Sequence, residues 1–198
     1  MIKIQSIILN ILFLFITIYF IYTINSTKKD LNNLNIEMES LVYKISDIIE
    51  KSISESKSVG IFIDNISLTS IQNRSNKNFN DLINGDRKIL LRYSSGCMVC
   101  TNEDILMSNL VLNELGSENV IIISSSPEES IHSFMHRNSY IKDIFMVDKG
   151  ALNIPIDEMD LGYIAVINEN YEVKSLFTPK DSYREIVRYV THVKQTYF

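Results

Sequence analysis

The chain contains no tryptophan, two cysteines, three prolines and six glycines in 198 residues. Two cysteines are too few to staple a loop-rich scaffold, so any fold must rest on a hydrophobic core. Basic residues number 19 against 24 acidic ones, a net charge of −5, and no run of Lys or Arg is long enough to track a phosphate backbone. That excludes nucleic-acid binding and a polybasic membrane-surface binder. No internal repeat and no low-complexity tract is present. The scarcity of Gly and Pro beside abundant Ile, Asn and Lys is a coding bias without mechanistic content. The length allows about one domain plus attachments. At 45% the hydrophobic fraction is ordinary, but it is unevenly placed, with a dense block before residue 25.

That block reads IILNILFLFITIYFIYTI from Ile7 to Ile24, eighteen residues without a charge and with Asn10, Thr17 and Thr23 as polar interruptions. A bilayer core needs about 20 apolar residues, with a tolerance near 17 to 25. Residues 1–25 are therefore expected to form a transmembrane anchor. A cleavable signal would have a shorter apolar stretch and a small-x-small site, and Asn25-Ser-Thr-Lys-Lys29 is a poor match. Lys3 on one side and Lys28 and Lys29 on the other give almost no positive-inside bias. Residues 26–59 read as a helical stalk and linker. Leu31, Leu34, Met38, Leu41, Ile45 and Ile48 form a heptad seam, so residues 31–48 suit a homodimer through a parallel coiled coil. The alternative is an amphipathic helix packed on its own domain. Ser52, Ser54, Ser56 and Ser58 dilute the pattern, which predicts a linker ending near Gly60.

Residues 60–198 alternate short apolar runs with amphipathic ones, which predicts an α/β domain with a central mixed sheet flanked by helices. The expected order begins with a strand at Gly60–Leu68 and a turn at Asn84-Gly85-Asp86. A strand over Lys88–Ser94 and a helix with Ile105, Leu106, Leu110, Val111 and Leu115 on one face follow, closed by Gly116. The continuous apolar run Asn119–Ser125 suits a central strand covered on both faces. A helix begins at Pro127-Glu128-Glu129 and a short strand spans Asp143–Val147. The hairpin Tyr163–Asn168 and Glu172–Phe177 precedes a closing helix, Pro179–Phe198, with Tyr183, Ile186, Val187, Val190 and Val193 inward. Residues 61–85 either add an edge strand or cap the site.

Cys97 and Cys100 fall between a strand and a helix. Unpaired N–H groups and the dipole at a helix start favour a thiolate on the first cysteine, below the free value of about 8.5. Cys97 would then be the nucleophile and Cys100, one turn further in, the resolving thiol. The spacing also admits other readings. A zinc site would need two more ligands, for which His132 and His136, spaced i, i+4, are the nearby candidates. A dimer could bind a metal or cluster through paired cysteines, and a structural disulfide with no turnover needs no further residue. His192 reads as part of a solvated helix face. Glu103 and Asp104 read as dipole complements, and Asp86 and Arg87 as turn residues. A buried carboxylate beneath the cysteines could serve Cys100 as a base, but none can be picked from the sequence.

On Tyr93-Ser-Ser-Gly-Cys97-Met-Val-Cys100 and the order of elements around it, the sequence resembles the thioredoxin-like superfamily over about residues 86–198. With the apolar segment in front, it is similar to the membrane-anchored extracytoplasmic thiol-disulfide oxidoreductases of that superfamily, the TlpA-like branch. The resemblance implies a thioredoxin-like fold, protein thiols or disulfides as partners, no cofactor and no resident metal. It places the domain outside the cytoplasm, on the periplasmic or cell-surface side of a single-pass protein. It also implies substrate contacts at Gly96 and at Gly162 or Tyr163, the positions matching a cis-proline that family members usually carry at the start of the hairpin. Pro155 lies too far upstream to replace it. Family members also usually have Trp just before the first cysteine, where this chain has Ser94, Ser95 and Gly96. These departures keep open an alternative, a non-catalytic interaction or scaffold domain with a structural disulfide.

Overall fold

The computed structural model describes residues 2–95, 101–138, 140–159, 161–179 and 183–198, with side chains described outside 2–11 and 101–106. Gly96, Cys97 and Cys100 lie outside the described residues. Helix α1 runs from Ile2 to Ser58. No Gly or Pro occurs before Gly60, whose φ of +86° ends the helix in a conformation that glycine adopts without strain. The chain divides into two compact units, residues 1–50 and 51–198.

In the first unit the hydroxyls of Thr17, Thr23 and Thr27 donate to the carbonyls of Phe13, Tyr19 and Thr23 at 2.8–2.9 Å. Thr17 and Thr23, two of the polar interruptions in the apolar run, are thereby satisfied inside the helix itself. Among the described residues no helix is long and apolar enough to cross a membrane. Residues 7–11, the start of the apolar run, have no described side chains and lie outside that statement. The seam residues Leu31, Leu34, Met38, Leu41, Ile45 and Ile48 are all exposed.

Residues 51–58, expected as a linker, are helical and belong to the domain. The Ser58 hydroxyl donates to the Ser54 carbonyl at 2.7 Å and accepts from the Ile156 N–H at 3.2 Å. The Glu55 carboxylate accepts from the Thr178 N–H at 2.8 Å. Bonding back to the preceding turn keeps serine compatible with a helix, and the two bonds to the domain fix it there.

The domain is built on a seven-stranded sheet with strands β1 Ser67–Ser70, β2 Asn76–Asn78, β3 Lys88–Tyr93, β4 Val120–Ser124, β5 Phe145–Met146, β6 Tyr163–Ile167 and β7 Val173–Phe177, in the order β2-β1-β5-β4-β3-β6-β7. β3 and β4 are parallel, as are β4 and β5, and the remaining pairs are antiparallel. Period-two alternation divides the side chains between two cores. Ile89, Leu91 and Tyr93 of β3 with Ile122, Ile164 and Val166 face the helices α3 Thr101–Leu115, α4 Glu128–Arg137 and α5 Tyr183–Tyr197. Leu90 with Ile121, Ile123, Tyr163, Ala165 and Ile167 faces the short helix α2 Phe79–Ile83 and an irregular strap carrying Leu152, Ile154 and Ile156. β3 and β4 are buried on both faces, as their continuous apolar runs require.

Three expectations are corrected. Gly60–Leu68 is not one strand: residues 60–63 lie against the start of β7, where the Ile63 N–H donates to the Tyr171 carbonyl at 2.9 Å. Phe62 there forms an isolated bridge with Glu172. The strand proper begins only at Ser67, on the opposite side of the sheet, so residues 61–85 add an edge hairpin, β1–β2, and α2. Their strands are short and polar, a usual way of blunting a sheet edge. Tyr183 points outward at 52% exposure, and Tyr189 turns inward instead, stacked on Phe177 with centroids 4.7 Å apart. Pro127 is the residue before the first turn of α4 rather than in it.

Candidate functional site

The pair Cys97 and Cys100 belongs to the seven residues, 94–100, that lie in sequence between the end of β3 and the start of α3. The structure describes the end of β3 and the residues that hold it. β3 leaves the sheet through Tyr93, Ser94 and Ser95, and the serines at the end of β4 hold this exit. Ser124 Oγ donates to the Tyr93 carbonyl at 2.9 Å and accepts from the Ser126 N–H at 3.0 Å. Ser126 Oγ accepts from the Ser95 N–H at 2.8 Å. Tyr93 stacks on Phe134 of α4 with centroids 4.1 Å apart and an interplanar angle of 15°. Three hydrogen bonds and one ring stack therefore hold the end of the strand that precedes Cys97.

On the other face of the same strand end lies an ionic group that sequence reasoning missed. Arg92 and Asp157 both have 0% exposed side chains, and Arg92 Nε lies 3.4 Å from Asp157 Oδ1, within ion-pair range though not in hydrogen-bond geometry. Arg92 Nη2 donates to Ser125 Oγ at 2.8 Å. The Tyr163 hydroxyl donates to Asp157 Oδ1 at 3.1 Å. Burial, and then the neighbouring Asp157 charge, pushes the Tyr163 hydroxyl well above its ordinary value, so it remains a protonated donor. Asp157 comes from the 3-10 turn Pro155–Met159, the turn whose Ile156 N–H is bonded to Ser58. Arg92 was legible as an anomaly: one charge inside Ile89-Leu-Leu-Arg-Tyr93, a strand otherwise built for a core, demands a buried counter-ion.

Tyr163 is fully buried with its hydroxyl on Asp157, and it pairs in register with Arg92 across β3 and β6. Gly162 is half-buried and precedes it, so carrying that register one step places its backbone beside Tyr93, at the exit of β3. Of the zinc candidates, His132 is 55% exposed with Nε2 3.1 Å from Glu128 Oε1. Glu128 also pairs with Arg74, and the bonds from Arg74 and His132 draw its carboxyl down to about 2. Among the described residues no three of His, Cys, Asp and Glu come together as a metal site would require.

No family model matches the sequence, and no curated protein does. Solved structures match well. A protein from Bacteroides thetaiotaomicron assigned as a protein disulfide isomerase superposes with a TM-score of 0.57 at 13% identity, over 70% of this chain and 89% of that one. The fold is thioredoxin-like. The peroxidoxin BcpB from Mycobacterium tuberculosis gives 0.54 at 11% identity, over 70% and 96%. A thiol:disulfide interchange protein of the thioredoxin family from Chlorobium tepidum gives 0.50 at 14% identity, over 68% and 97%. The expected order of strand, helix, strand, helix, hairpin and helix is met by β3, α3, β4, α4, β6–β7 and α5, and in sequence Cys97 and Cys100 fall between β3 and α3.

Proposed function

We propose that the protein is a membrane-tethered thiol-disulfide oxidoreductase that exchanges disulfides with partner proteins outside the cytoplasm. The observation that carries this reading is the position of C-x-x-C at the β3–α3 junction of a thioredoxin-like fold. When the pair acts as reductant, the Cys97 thiolate attacks one sulfur of a substrate disulfide. The substrate S–S bond breaks, its other sulfur leaves as a thiolate and takes a proton, and Cys97 is joined to the substrate. Cys100, deprotonated, then attacks Cys97 Sγ and releases the second substrate thiol. Two electrons pass to the substrate and the pair becomes a disulfide; oxidation of a substrate dithiol is the same sequence reversed.

The apolar run 7–24 supplies the tether, and the exposed heptad seam of residues 31–48 the dimer contact. Gly96 and Gly162 offer backbone groups to an extended substrate beside the cysteines. The departures from the family pattern, no Trp before Cys97 and no proline at Gly162, favour a second reading as a scaffold domain with a structural disulfide.

Incubating the full chain carrying Cys100→Ala with a disulfide-bonded model peptide separates the two. The oxidoreductase reading expects a mixed disulfide on Cys97 that dithiothreitol releases, absent from Cys97→Ala. A folded Cys100→Ala chain that forms no adduct contradicts it.

A further inference from the structure

The strap between β5 and β6 is irregular yet buried: Leu152, Ile154 and Ile156 are at most 1% exposed. A buried irregular segment has to find partners for its backbone outside itself, because an N–H kept from water and left unpaired is costly. In the turn Pro155–Met159 the Ile156 N–H donates to Ser58 Oγ, on a residue of α1 that is itself fully buried. The very next residue is tied to the sheet. Asp157 Oδ1 accepts from the Tyr163 hydroxyl at 3.1 Å and lies 3.4 Å from Arg92 Nε. Arg92 and Tyr163 are direct partners across β3 and β6. Two consecutive residues of one turn therefore hold the end of α1 on one side and a strand pair on the other.

The chemistry of the two ties makes them hard to break separately. A purely apolar strap could lift away and leave behind side chains free to repack. Lifting this one would strand the Arg92 guanidinium, buried and permanently charged, without its counter-ion, and halving a buried ion pair is strongly destabilising. Ser125 Oγ, which accepts from Arg92 Nη2, is neutral and does not replace the carboxylate. The pair is also incomplete among the described residues, with Arg92 Nη1 and Asp157 Oδ2 lacking hydrogen-bond partners, so it depends all the more on the contact it has. From the other side, departure of the last turn of α1 would leave the Ile156 N–H buried and unpaired.

We propose that the turn Pro155–Met159 is an interlock, through which the last two turns of α1, residues 51–58, and the paired ends of β3 and β6 open together as one local unit. Loosening at the domain end of α1 reaches the strand pair through Ile156 and Asp157, and loosening of the strand pair reaches α1 by the same two residues. The coupling is reciprocal, as any coupling between two sites must be. The inference goes beyond the disulfide-exchange reading and stands whether or not exchange occurs.

Hydrogen-exchange mass spectrometry of the full chain in detergent tests it, with circular dichroism to confirm folding. The reporters are residues 51–58, the strands 88–93 and 163–167, and residues 107–115 of α3 as a reference in the opposite core. Ser58→Ala cuts the tie on the helix side and is expected to speed exchange about fivefold in the two strands. Asp157→Asn cuts it on the sheet side and is expected to speed exchange at least about fivefold in residues 51–58. Residues 107–115 are expected to keep the wild-type rate in both variants. Acceleration confined to the side that was cut, acceleration of the reference by the same factor, or no change on either side overturns the interlock. Where Asp157→Asn does not fold, Ser58→Ala alone decides: faster strands over an unmoved reference support the interlock, and unmoved strands overturn it.

Discussion

At the scale of single residues, the molecule's charges divide into those that water screens and those it cannot reach. Glu128 is of the first kind. Its carboxyl, drawn to about 2 by Arg74 and His132, has an ordinary value of 4.5, so its contribution is complete above about 4.5 and is lost as the pH falls toward 2. Glu128→Gln is expected to narrow the drop in melting temperature between neutral pH and pH 3, and 1 M salt to shrink the difference further, because the pair is exposed. Equal acid sensitivity of variant and wild type in differential scanning fluorimetry would contradict this. Tyr163 is of the second kind. Tyr163→Phe leaves the buried Asp157 carboxylate without its hydroxyl donor and is expected to destabilise the domain by about 1–3 kcal/mol in urea unfolding. A change near zero would mean that the carboxylate finds another donor. Of this group the sequence shows only Arg92; Asp157 sits in a strap whose path over the sheet no local pattern encodes, so its burial emerges only from tertiary packing.

At the scale of elements, legibility followed the length and regularity of each pattern. β3, β4, the β6–β7 hairpin and α3 to α5 are strongly patterned, and each occupies the expected stretch within a few residues. Gly116, φ +84°, ends α3 with its N–H on the Leu112 carbonyl, as the glycine after a helical face predicts. The misread elements are those whose pairing is long-range. Residues 60–66 contain apolar alternation but cross from the β7 side of the sheet to the β1 side, and β2 is three polar residues recognisable only by its register with β1. The serine-rich end of α1 misled because composition argues for a linker, while Ser58 and Glu55 make specific bonds to Ile156 and Thr178. Packing of α4 on β3 is testable here. Phe134, fully buried against Tyr93, is the contact that holds α4 over the exit of β3. Phe134→Ala is expected to destabilise by about 3–5 kcal/mol and to accelerate hydrogen exchange in β3. Loss of less than about 1 kcal/mol would show that α4 is held elsewhere.

At the scale of the whole molecule, the proposal joins a tether, a stalk and a redox domain. The stalk seam residues are 47–58% exposed, and a second copy of the same seam is what their heptad spacing fits. Leu34→Lys together with Leu41→Lys is expected to convert a dimer into a monomer in sedimentation analysis of the detergent-solubilised chain, while a sedimentation mass unaffected by both changes would remove the stalk from the assembly. The domain itself was legible as thioredoxin-like from C-x-x-C and the order of elements, whereas the local sequence around the cysteines departs from the family in ways that only chemistry can weigh. The most direct measurement is therefore the reduction potential of the Cys97–Cys100 pair in the full chain, equilibrated with glutathione or dithiothreitol buffers and read by trapping free thiols. The account predicts a value between about −120 and −270 mV, the range of catalytic dithiols. A value below about −300 mV would mark a structural disulfide and contradict it.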